Sequence, residues 1–338
     1  MPVTISIPRE STFPGSDWTA LSRHWHPVAF CHELGTAPIG VRLLDVRVVV
    51  WRTPDGVRAA PDLCQHRGAS LSQGRVSGRD IVCPYHGYAF DPSGRCTHIP
   101  SQPDALVPRK LCLNLFGCRE QGGIVWVCLD PESTETPPEF PEAVDPAFQV
   151  VPVTPVIEWQ ASAGRQVESF CDVAHFAFVH PQTFAVKDPV VPRYEVRPGD
   201  RGLVAEFESH VGNVGDAGAE RFRWRRVYHL HLPFTARLVV HFPGGGRLVI
   251  LNAASPVSAR LTRLFAVVAR DFDHDKPVSD IVAFQHRVYG EDRAIVEGQH
   301  PEELPVDLHD EVHLRADRTS VEYRRLLARI GLGRHFTS

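Results

Sequence analysis

Three features that the sequence lacks narrow its class. Its 338 residues contain no apolar run of roughly 18 residues, the length that is needed to cross a bilayer. They contain no block of one charge, and the formal net charge is only −4. Residues 1–14 lack the basic stretch followed by an apolar stretch that begins a secretory signal. We therefore expect a cytoplasmic protein with no membrane partner and no nucleic-acid partner.

Cysteine is also absent from the C-terminal part of the chain. All eight cysteines lie between Cys31 and Cys171, and none follows. A reducing cytosol disfavours disulfides, so we do not expect a disulfide framework. Some of these cysteines are therefore candidates for metal binding. The others are expected to be small buried apolar side chains, namely Cys31, Cys112, Cys118, Cys128 and Cys171.

The length allows two domains, and residues 131–155, which are rich in proline, glutamate and threonine, indicate the boundary. We place the domains at residues 1–135 and 136–338. The first is predicted to be all-β, and the second to have an antiparallel β-sheet flanked by helices, so the chain is α+β. Strands of the first domain are predicted at residues 45–51, 57–60, 80–83, 88–90 and 123–129. The second domain has predicted strands at 221–231, 236–241, 246–253 and 260–269, a turn at 243–246, and helices at 166–179, 277–299 and 320–330.

Two short segments of the first domain each contain one cysteine and one histidine. Cys64 and His66 form a Cys-x-His pair, and after sixteen intervening residues Cys83 and His86 form a Cys-x2-His pair. Each pair lies in a predicted loop, so two loop tips can converge on one metal centre. A zinc site uses the same ligands, and chance is a further alternative. One cysteine and one histidine in each loop favour a Rieske [2Fe–2S] cluster, in which one iron binds two cysteines and the other two histidines.

A second group of polar residues opens the second domain, at Glu168, Asp172, His175 and His180. On an unbroken helix the first three would share one face. His180 would lie about 140° further around that helix, but Pro181 disfavours helix at His180 and lets it turn towards the same metal. Two histidines and one carboxylate are the ligands of non-haem Fe(II) oxygenases. The alternative is a polar helix surface, which the apolar neighbours disfavour because burying these groups without partners is costly.

The two loops of the first domain resemble a known family. Residues 64–69 read Cys-Gln-His-Arg-Gly-Ala and residues 83–90 read Cys-Pro-Tyr-His-Gly-Tyr-Ala-Phe. Both are similar to the Rieske motifs of ring-hydroxylating and demethylating oxygenases, which more often have tryptophan where Tyr88 stands. A third pair, Cys96 and His98, has no matching pair downstream, and we expect it to be structural. The resemblance implies that a [2Fe–2S] cluster is held by Cys64, His66, Cys83 and His86.

The second group resembles the (N/E)-x3-D-x2-H-x4-H motif of the same family, the Rieske oxygenases. The resemblance implies that His175 and His180 bind a mononuclear iron. It implies that Asp172 is an acid that bridges the iron site to the cluster across a subunit boundary. The family often has asparagine where Glu168 stands, so the role of Glu168 stays open between hydrogen bonding to a ligand and simple structure.

The third iron ligand is predicted from the late helix of the second domain. In the family it is an acid on such a helix, and residues 291–299 resemble the corresponding segment. We predict Asp292 as this ligand. Glu291 and Glu297 are the rival candidates.

The resemblance covers nearly the whole chain, and it is to the smaller family members such as the O- and N-demethylating monooxygenases. It implies a homotrimer in which electrons pass from one subunit's cluster to its neighbour's iron. No G-x-G-x-x-G segment is present, so a separate NAD(P)H-dependent reductase, a ferredoxin, or both would supply the electrons. The expected reaction is the hydroxylation or oxidative demethylation, with O2, of a small organic substrate.

The substrate pocket is expected between strands of residues 222–249 and the helix around Phe284. The apolar character of these segments predicts a largely apolar substrate. The alternative function is that of a Rieske ferredoxin-like electron carrier with an inert C-terminal domain. Such a carrier would not need His175, His180 or Asp292, and their presence argues against it.

Overall fold

The computed structural model describes residues 7–104, 106–184, 189–209, 224–242 and 245–333. The chain forms two compact units, Met1–Glu139 and Phe140–Ser338. The predicted domain boundary lies four residues earlier. The extra residues belong with the first unit because the side-chain amide of Gln121 donates hydrogen bonds to the carbonyl groups of Pro137 and Pro138.

The described part of the first unit contains helix α1 (Gly15–Leu21) and short strands in three antiparallel sheets, which confirms the predicted β-rich domain. The strands are β1 (His26–Phe30), β2 (Ile39–Leu43), β3 (Val46–Thr53), β4 (Gly56–Pro61), β5 (Arg75–Ser77), β6 (Asp80–Val82), β7 (Ala89–Phe90), β8 (Cys96–His98), β9 (Gly117–Gln121) and β10 (Ile124–Cys128). The sheet orders are β1-β10-β9, β2-β3-β4 and β5-β6-β7-β8. The five strands predicted for this domain correspond to β3, β4, β6, β7 and β10.

The hydrophobic core of the first unit reaches the two loops that carry the Cys-His pairs. Trp51, Leu71 and Phe90 are fully buried in it. Cys64 and Cys83 belong to the same core cluster. Each loop is therefore anchored by its cysteine, and the histidine that follows lies nearer to the surface.

In the second unit the described residues form an eight-stranded antiparallel sheet. Its strands are β11 (Gln149–Pro152), β12 (Ile157–Trp159), β13 (Glu195–Gly199), β14 (Gly202–Ser209), β15 (Trp224–His231), β16 (Thr235–His241), β17 (Arg247–Ser258) and β18 (Leu261–Arg270). The order is β11-β18-β17-β16-β15-β14-β13, and β12 pairs with β18. The four predicted strands correspond to β15–β18. Residues 221–223 of the first prediction and 243–244 of the predicted turn lie outside the described residues.

Four helices of the second unit complete the α+β fold that the sequence predicts. They are α2 (Ala163–Cys171), α3 (Phe176–Val179), α4 (Val278–Val296) and α5 (Arg318–Arg329). Helix α4 begins directly after Pro277, and both late helices match their predictions. Within the described ranges, no helix is long and apolar enough to cross a membrane.

One prediction about these helices is wrong, because residues 166–179 do not form one helix. Helix α2 ends at Cys171, and Asp172 takes an extended conformation with φ −73° and ψ 138°. The Asp172 carboxylate accepts hydrogen bonds from the backbone N–H groups of Ala174 and His175, at 3.0 and 3.2 Å. These bonds compete with the helical ones and stabilise a turn. The argument that Glu168, Asp172 and His175 share one helix face therefore fails.

Candidate metal centres

The two loops with the Cys-His pairs have the same backbone pattern. In the first, the N–H of Cys64 donates to the carbonyl of Ala69, and its carbonyl accepts from the N–H of Gly68, at 2.8 and 2.9 Å. In the second, the N–H of Cys83 donates to the carbonyl of Tyr88 at 2.9 Å, and its carbonyl accepts from the loop glycine at 3.1 Å. Both glycines have positive φ, 76° and 71°, a conformation that glycine adopts without steric cost. The sequence thus builds two equivalent loop tips.

The four side chains of these loops divide into a buried pair and an outer pair. The side chains of Cys64 and Cys83 are each only 2% exposed. The Nδ1 atoms of His66 and His86 face each other at 3.2 Å, with His86 exposed. Two sulfur donors on the inside and two imidazole nitrogens on the outside fit a [2Fe–2S] cluster bound as in Rieske proteins.

The environment of the buried cysteines agrees with a metal partner. Burial, with a smaller contribution from the neighbouring Cys83, raises the pKa of the Cys64 thiol to about 11. A thiolate is stable in such a place when a cation is bound next to it. Tyr88 stacks on the His66 ring, with 4.5 Å between the centroids and 19° between the planes. The aromatic residue at this position therefore packs directly on one of the histidines.

The third Cys-x-His pair lies on a strand and not in a loop tip. Cys96 is a core residue on β8, and His98 at the end of that strand is exposed. The prediction of buried apolar roles for five further cysteines is only partly right. Cys128 and Cys171 are buried, whereas Cys31, Cys112 and Cys118 are half-exposed.

The second unit brings two histidines and one acid to a common point. The Nε2 atoms of His175 and His180 lie 3.2 Å apart. Asp292 Oδ1 lies 2.9 Å from Nε2 of His180 and 3.4 Å from Nε2 of His175. The three ligand atoms lie within 4.8 Å of one another and could hold a metal ion.

The donor atoms of this cluster fit iron. Asp292 Oδ1 is buried and, although close to His180, has no partner in hydrogen-bond geometry within the described part of the chain. A buried carboxylate oxygen that faces two imidazole nitrogens is satisfied by a metal ion at their centre. Two histidines and one carboxylate on one side of an ion leave further coordination positions open, as in non-haem Fe(II) oxygenases.

A carboxylate contacts Nδ1 of each histidine of this group, the ring nitrogen that faces away from the group's centre. Nδ1 of His175 lies 2.9 Å from Asp172 Oδ2, and Nδ1 of His180 lies 2.6 Å from Glu291 Oε2. The Thr183 hydroxyl donates to the other oxygen of Glu291 at 2.6 Å. A proton on each Nδ1 is therefore fixed, and the unprotonated Nε2 points to the cluster centre.

Charges around these histidines shift two pKa values. Burial opposes protonation of His180, but the carboxylates of Asp292 and Glu291 outweigh it and raise its pKa. Burial alone would raise the pKa of Asp172. The hydrogen bonds from the side chain of His175 and from two backbone N–H groups lower it instead. Asp172 is therefore a carboxylate at neutral pH.

The three acids whose roles the sequence left open have separate positions. Glu291 contacts Nδ1 of His180, on the side of the ring that faces away from the other two candidate ligands. Glu297 Oε1 accepts a hydrogen bond from the backbone N–H of Gln160 at 2.8 Å. Glu168 forms a two-point ion pair with Arg324, at 2.7 and 2.8 Å, which ties α2 to α5. Asp292 is thus the acid that the structure places at the two Nε2 atoms.

An apolar cavity adjoins the cluster, with about 740 Å³ of empty space including its open mouth. Two alternate residues of each of β15–β17 face it, because alternate side chains of a strand point to one side. The lining from these strands is Arg226, Tyr228, Leu238, Val240, Leu248 and Ile250, with Phe242 from directly after β16, and that from the helices includes Phe170, Phe176, Phe284, Gln285, Val288 and Tyr289. The segments from which we predicted the pocket therefore supply it, although Phe222 lies outside the described residues.

Sequence reasoning missed some residues of this site. Glu291 was considered only as a ligand, and its contact with the back of His180 follows from its place one residue before Asp292 on α4. Thr183 carried no signal beyond its position three residues after that histidine. Arg226 could have been noticed as a charged residue at an inward position of a strand whose alternate residues are apolar.

Comparisons with known proteins agree with this geometry. The Rieske [2Fe-2S] domain matches residues 24–113, and the vanillate O-demethylase oxygenase C-terminal domain matches residues 159–332. Methylxanthine N1-demethylase NdmA of Pseudomonas putida is 34% identical over 320 residues, which cover 91% of this chain and 88% of that protein. Methylxanthine N3-demethylase NdmB of the same organism is 34% identical over 325 residues, with 91% and 89% covered.

Solved structures show the same fold. Pseudomonas putida CBB5 NdmA with caffeine superimposes with a TM-score of 0.83 at 31% identity, covering 93% of this chain and 92% of that one. Dicamba monooxygenase bound to dicamba has a TM-score of 0.78 at 22% identity, covering 92% and 97%, and supports the fold alone. An oxygenase C-terminal domain disfavours the electron-carrier alternative. With a Rieske [2Fe-2S] domain followed by the oxygenase domain that binds mononuclear iron in this family, the chain belongs to the Rieske non-haem iron oxygenases.

Proposed function

We propose that this oxygenase removes a methyl group from a small, largely apolar organic substrate, using O2 and electrons from a separate NAD(P)H-dependent reductase or its ferredoxin. The observation that carries the proposal is the His175, His180 and Asp292 cluster at the wall of an apolar cavity. Demethylation is favoured over ring hydroxylation because the relatives named above are N-demethylases. A further relative is the oxygenase component of dicamba O-demethylase from Stenotrophomonas maltophilia.

We assign the metal ligands from the geometry of their donor atoms. The [2Fe–2S] cluster would be held by Cys64, His66, Cys83 and His86. The mononuclear iron would be held by His175, His180 and Asp292 of the second unit. When bound, the first centre supplies single electrons and the second supplies open positions for O2. The chain's part is to position the ligands and to surround the substrate with apolar side chains that exclude water.

Asp172 and Glu291 have positioning roles in this proposal. Each carboxylate holds the Nδ1 proton of one histidine, so that the ring keeps one orientation and one tautomer. The side chain of Asp172 is also 27% exposed. That leaves part of the carboxylate open to a second partner. We infer that this partner is a histidine that binds the [2Fe–2S] cluster of a neighbouring subunit.

Three further properties are part of this proposal. One is the homotrimer, which the partial exposure of the Asp172 carboxylate supports. Another is the cytoplasmic location. The third is the division of labour between residues 1–135, which would carry electrons, and residues 136–338, which would carry out the oxidation.

A single-turnover assay tests the proposed function without a reductase. The purified protein is reduced with dithionite, freed of excess reductant, and exposed to O2 with a panel of N-methyl and O-methyl aromatic compounds. Formaldehyde is then measured, with up to about one equivalent per chain expected from stored electrons. The His175→Ala variant is expected to keep the visible spectrum of the cluster and to release no formaldehyde.

The metal content is measured on the same samples. About three iron and two sulfide per chain, with a Rieske-type EPR signal after reduction, follow from the assigned ligands. A contrary result would be that the wild type and His175→Ala transfer electrons equally well while no compound loses a methyl group after Fe(II) reconstitution. That result would support the electron-carrier function instead. Zinc without sulfide would refute both.

A further inference from the structure

Each candidate histidine ligand of the first unit has a tyrosine ring against it. The Tyr88 ring stacks on the His66 imidazole, with 4.5 Å between the centroids and 19° between the planes. The Tyr85 ring lies against the His86 imidazole, with 3.8 Å between the centroids and 33° between the planes. The two imidazoles also meet edge to face at 4.7 Å. The four side chains therefore form one continuous ring series in the order Tyr88, His66, His86, Tyr85.

The ring series joins the two loop tips. Both tyrosines belong to the second loop, yet Tyr88 reaches across to the histidine of the first loop. The loop backbone fixes Tyr88, because its carbonyl accepts a hydrogen bond from the N–H of Cys83 at 2.9 Å. Its ring also packs against the core cluster that contains Cys64 and Cys83. The positions of both imidazoles thus depend on side chains that are not candidate ligands.

Burial of apolar surface does not explain the outer end of the series. Tyr85 is 65% exposed, and its partner His86 is exposed as well. Ordering a side chain costs conformational entropy, and so little buried area offsets only part of that cost. Within the described ranges, neither tyrosine hydroxyl has a hydrogen bond to another residue. The contact of each tyrosine with its histidine is therefore made by the ring face.

The electrostatics of these contacts depend on the charge of the imidazoles. The face of a tyrosine ring carries the negative part of its quadrupole, so it attracts positive charge. An oxidised cluster has one more unit of positive charge than a reduced cluster, and histidine ligands share it with their iron. The two ring faces should therefore stabilise the oxidised state more than the reduced state.

We propose that Tyr85 and Tyr88 are positioning residues for the [2Fe–2S] cluster, which hold the planes of its two histidines and lower its reduction potential. This inference rests on the proposed ligand assignment and adds two residues that bind no metal. A lower potential makes the reduced cluster a stronger electron donor to the mononuclear iron. The tyrosines thus act on the reaction through the two histidines and not through the substrate.

Redox titration of the oxidised holoprotein against a reference dye, followed by the visible absorbance of the cluster, tests the inference. In Tyr85→Leu and in Tyr88→Leu the ratio of reduced to oxidised cluster at a fixed dye potential is expected to rise about two- to fivefold, the size of one cation–π contact. For one electron this is an increase of about 20–40 mV in the reduction potential. Tyr85→Phe and Tyr88→Phe keep the rings and are expected to stay within about 1.5-fold of the wild type. Tyr88→Trp is expected to have a potential at or below that of the wild type, because the tryptophan face attracts cations most strongly.

His98→Leu is the matched control. That imidazole is exposed at the end of β8, in the same small sheet, and has no ring contact in the part of the chain that the structure describes. Its removal is expected to leave the potential unchanged. Because Tyr85 lies at the surface, Tyr85→Leu decides the test even where Tyr88→Leu fails to retain its cluster.

Every other outcome counts against the inference. Potentials of the retained leucine variants that equal or fall below the wild-type value would overturn it. A shift in Tyr88→Phe as large as that in Tyr88→Leu would assign the effect to the hydroxyl and overturn the role of the ring face. A shift of the same size in His98→Leu would remove the specificity for the stacked rings. Failure of the ligand assignment has a different signature, because the reduced wild type would then lack a Rieske-type EPR signal.

Discussion

The carboxylate of Glu291 lies behind His180, with Oε2 2.6 Å from Nδ1, while Nε2 of the same ring faces Asp292 at 2.9 Å. Two adjacent acids of one helix therefore contact opposite sides of one imidazole. In the proposed assignment, one would bind the metal and the other would fix the ring that binds it. Thr183 holds the second oxygen of Glu291, so the orienting carboxylate is itself restrained.

We expect Glu291→Ala to weaken metal binding without removing a ligand. The ring of His180 would lose its fixed tautomer, and loss of such a partner costs about 10- to 100-fold in metal affinity. Titration of the iron-free mononuclear site with Co(II), followed by absorbance, measures this change. Glu297→Ala is the matched control, since Glu297 is the next glutamate along the chain and contacts Gln160 instead. Equal Co(II) affinity in the wild type and Glu291→Ala would contradict the positioning role.

Asp172→Asn separates the bridging role from the structural one. Asparagine keeps one acceptor oxygen, which can retain the hydrogen bond from the N–H of Ala174, whereas the bond from the N–H of His175 to the other carboxylate oxygen is lost. The substitution also removes the negative charge that would link the iron site to the neighbouring cluster. We expect both metal centres to stay filled and cluster oxidation to slow by at least about tenfold, which is 1.4 kcal/mol in the barrier. Stopped-flow absorbance of the reduced protein mixed with O2 and substrate gives the rate, and an unchanged rate would refute the bridge.

The Rieske loops were predictable because their determinants are local. The candidate ligands of each loop are two or three residues apart, and a glycine with positive φ follows each histidine. The pair His175 and His180 was predictable for the same reason. Asp292 lies more than a hundred residues further on, and only the family resemblance pointed to it. The α+β class followed from the strong patterns of the longer strands and of the late helix α4.

The end of helix α2 before Asp172 could not be predicted from the periodicity of apolar residues. A carboxylate that accepts backbone hydrogen bonds ends α2, and this competition depends on the side-chain conformation rather than on residue type. The inward position of Arg226 depends on the register of β15 against β16, which only the folded sheet defines. Edge strands such as β13 were missed because a charged and proline-containing strand lacks the alternating pattern.

The ion pair between Glu168 and Arg324 is expected to stabilise the second unit. Both side chains are largely buried, 12% and 3% exposed, and removing one partner of a buried pair costs about 3–5 kcal/mol. Arg324 keeps a second partner in Glu311 at 2.6 Å, so we expect about 2–3 kcal/mol for Glu168→Gln. Denaturant unfolding followed by far-UV circular dichroism measures the loss.

A separate ion pair on the protein surface is the matched control for this buried network. Arg225 and Glu206 form an ion pair whose side chains are 46% and 29% exposed, for which the expected loss is below about 1 kcal/mol. Glu206→Gln is therefore expected to unfold at nearly the wild-type denaturant concentration. Equal effects of Glu168→Gln and Glu206→Gln would show that the α2–α5 network adds nothing special to stability.

His26 is expected to make the first unit less stable in mild acid. It is 1% exposed, and burial lowers its pKa from 6.5 to about 4, against the opposing effect of its hydrogen bond to the Leu21 carbonyl. Because the folded pKa lies below the unfolded one, the unfolded chain takes up the proton first. The stabilisation is complete above pH 6.5, falls as the pH decreases towards 4, and is then constant. Its full size is about 3 kcal/mol, of which about 2 kcal/mol is lost by pH 5.

Comparison with His26→Gln isolates this effect, since glutamine keeps an N–H donor for the Leu21 carbonyl but does not titrate. Denaturant unfolding is followed at pH 7.5 and pH 5 by the visible absorbance of the cluster, which reports on the first unit. The wild type is expected to lose about 2 kcal/mol more than the variant between these values. Because any acid sensitivity of the cluster affects both proteins, it cancels in the difference. Identical pH dependence of the two proteins would mean that His26 is already protonated in the folded state, or that its burial is relieved by water.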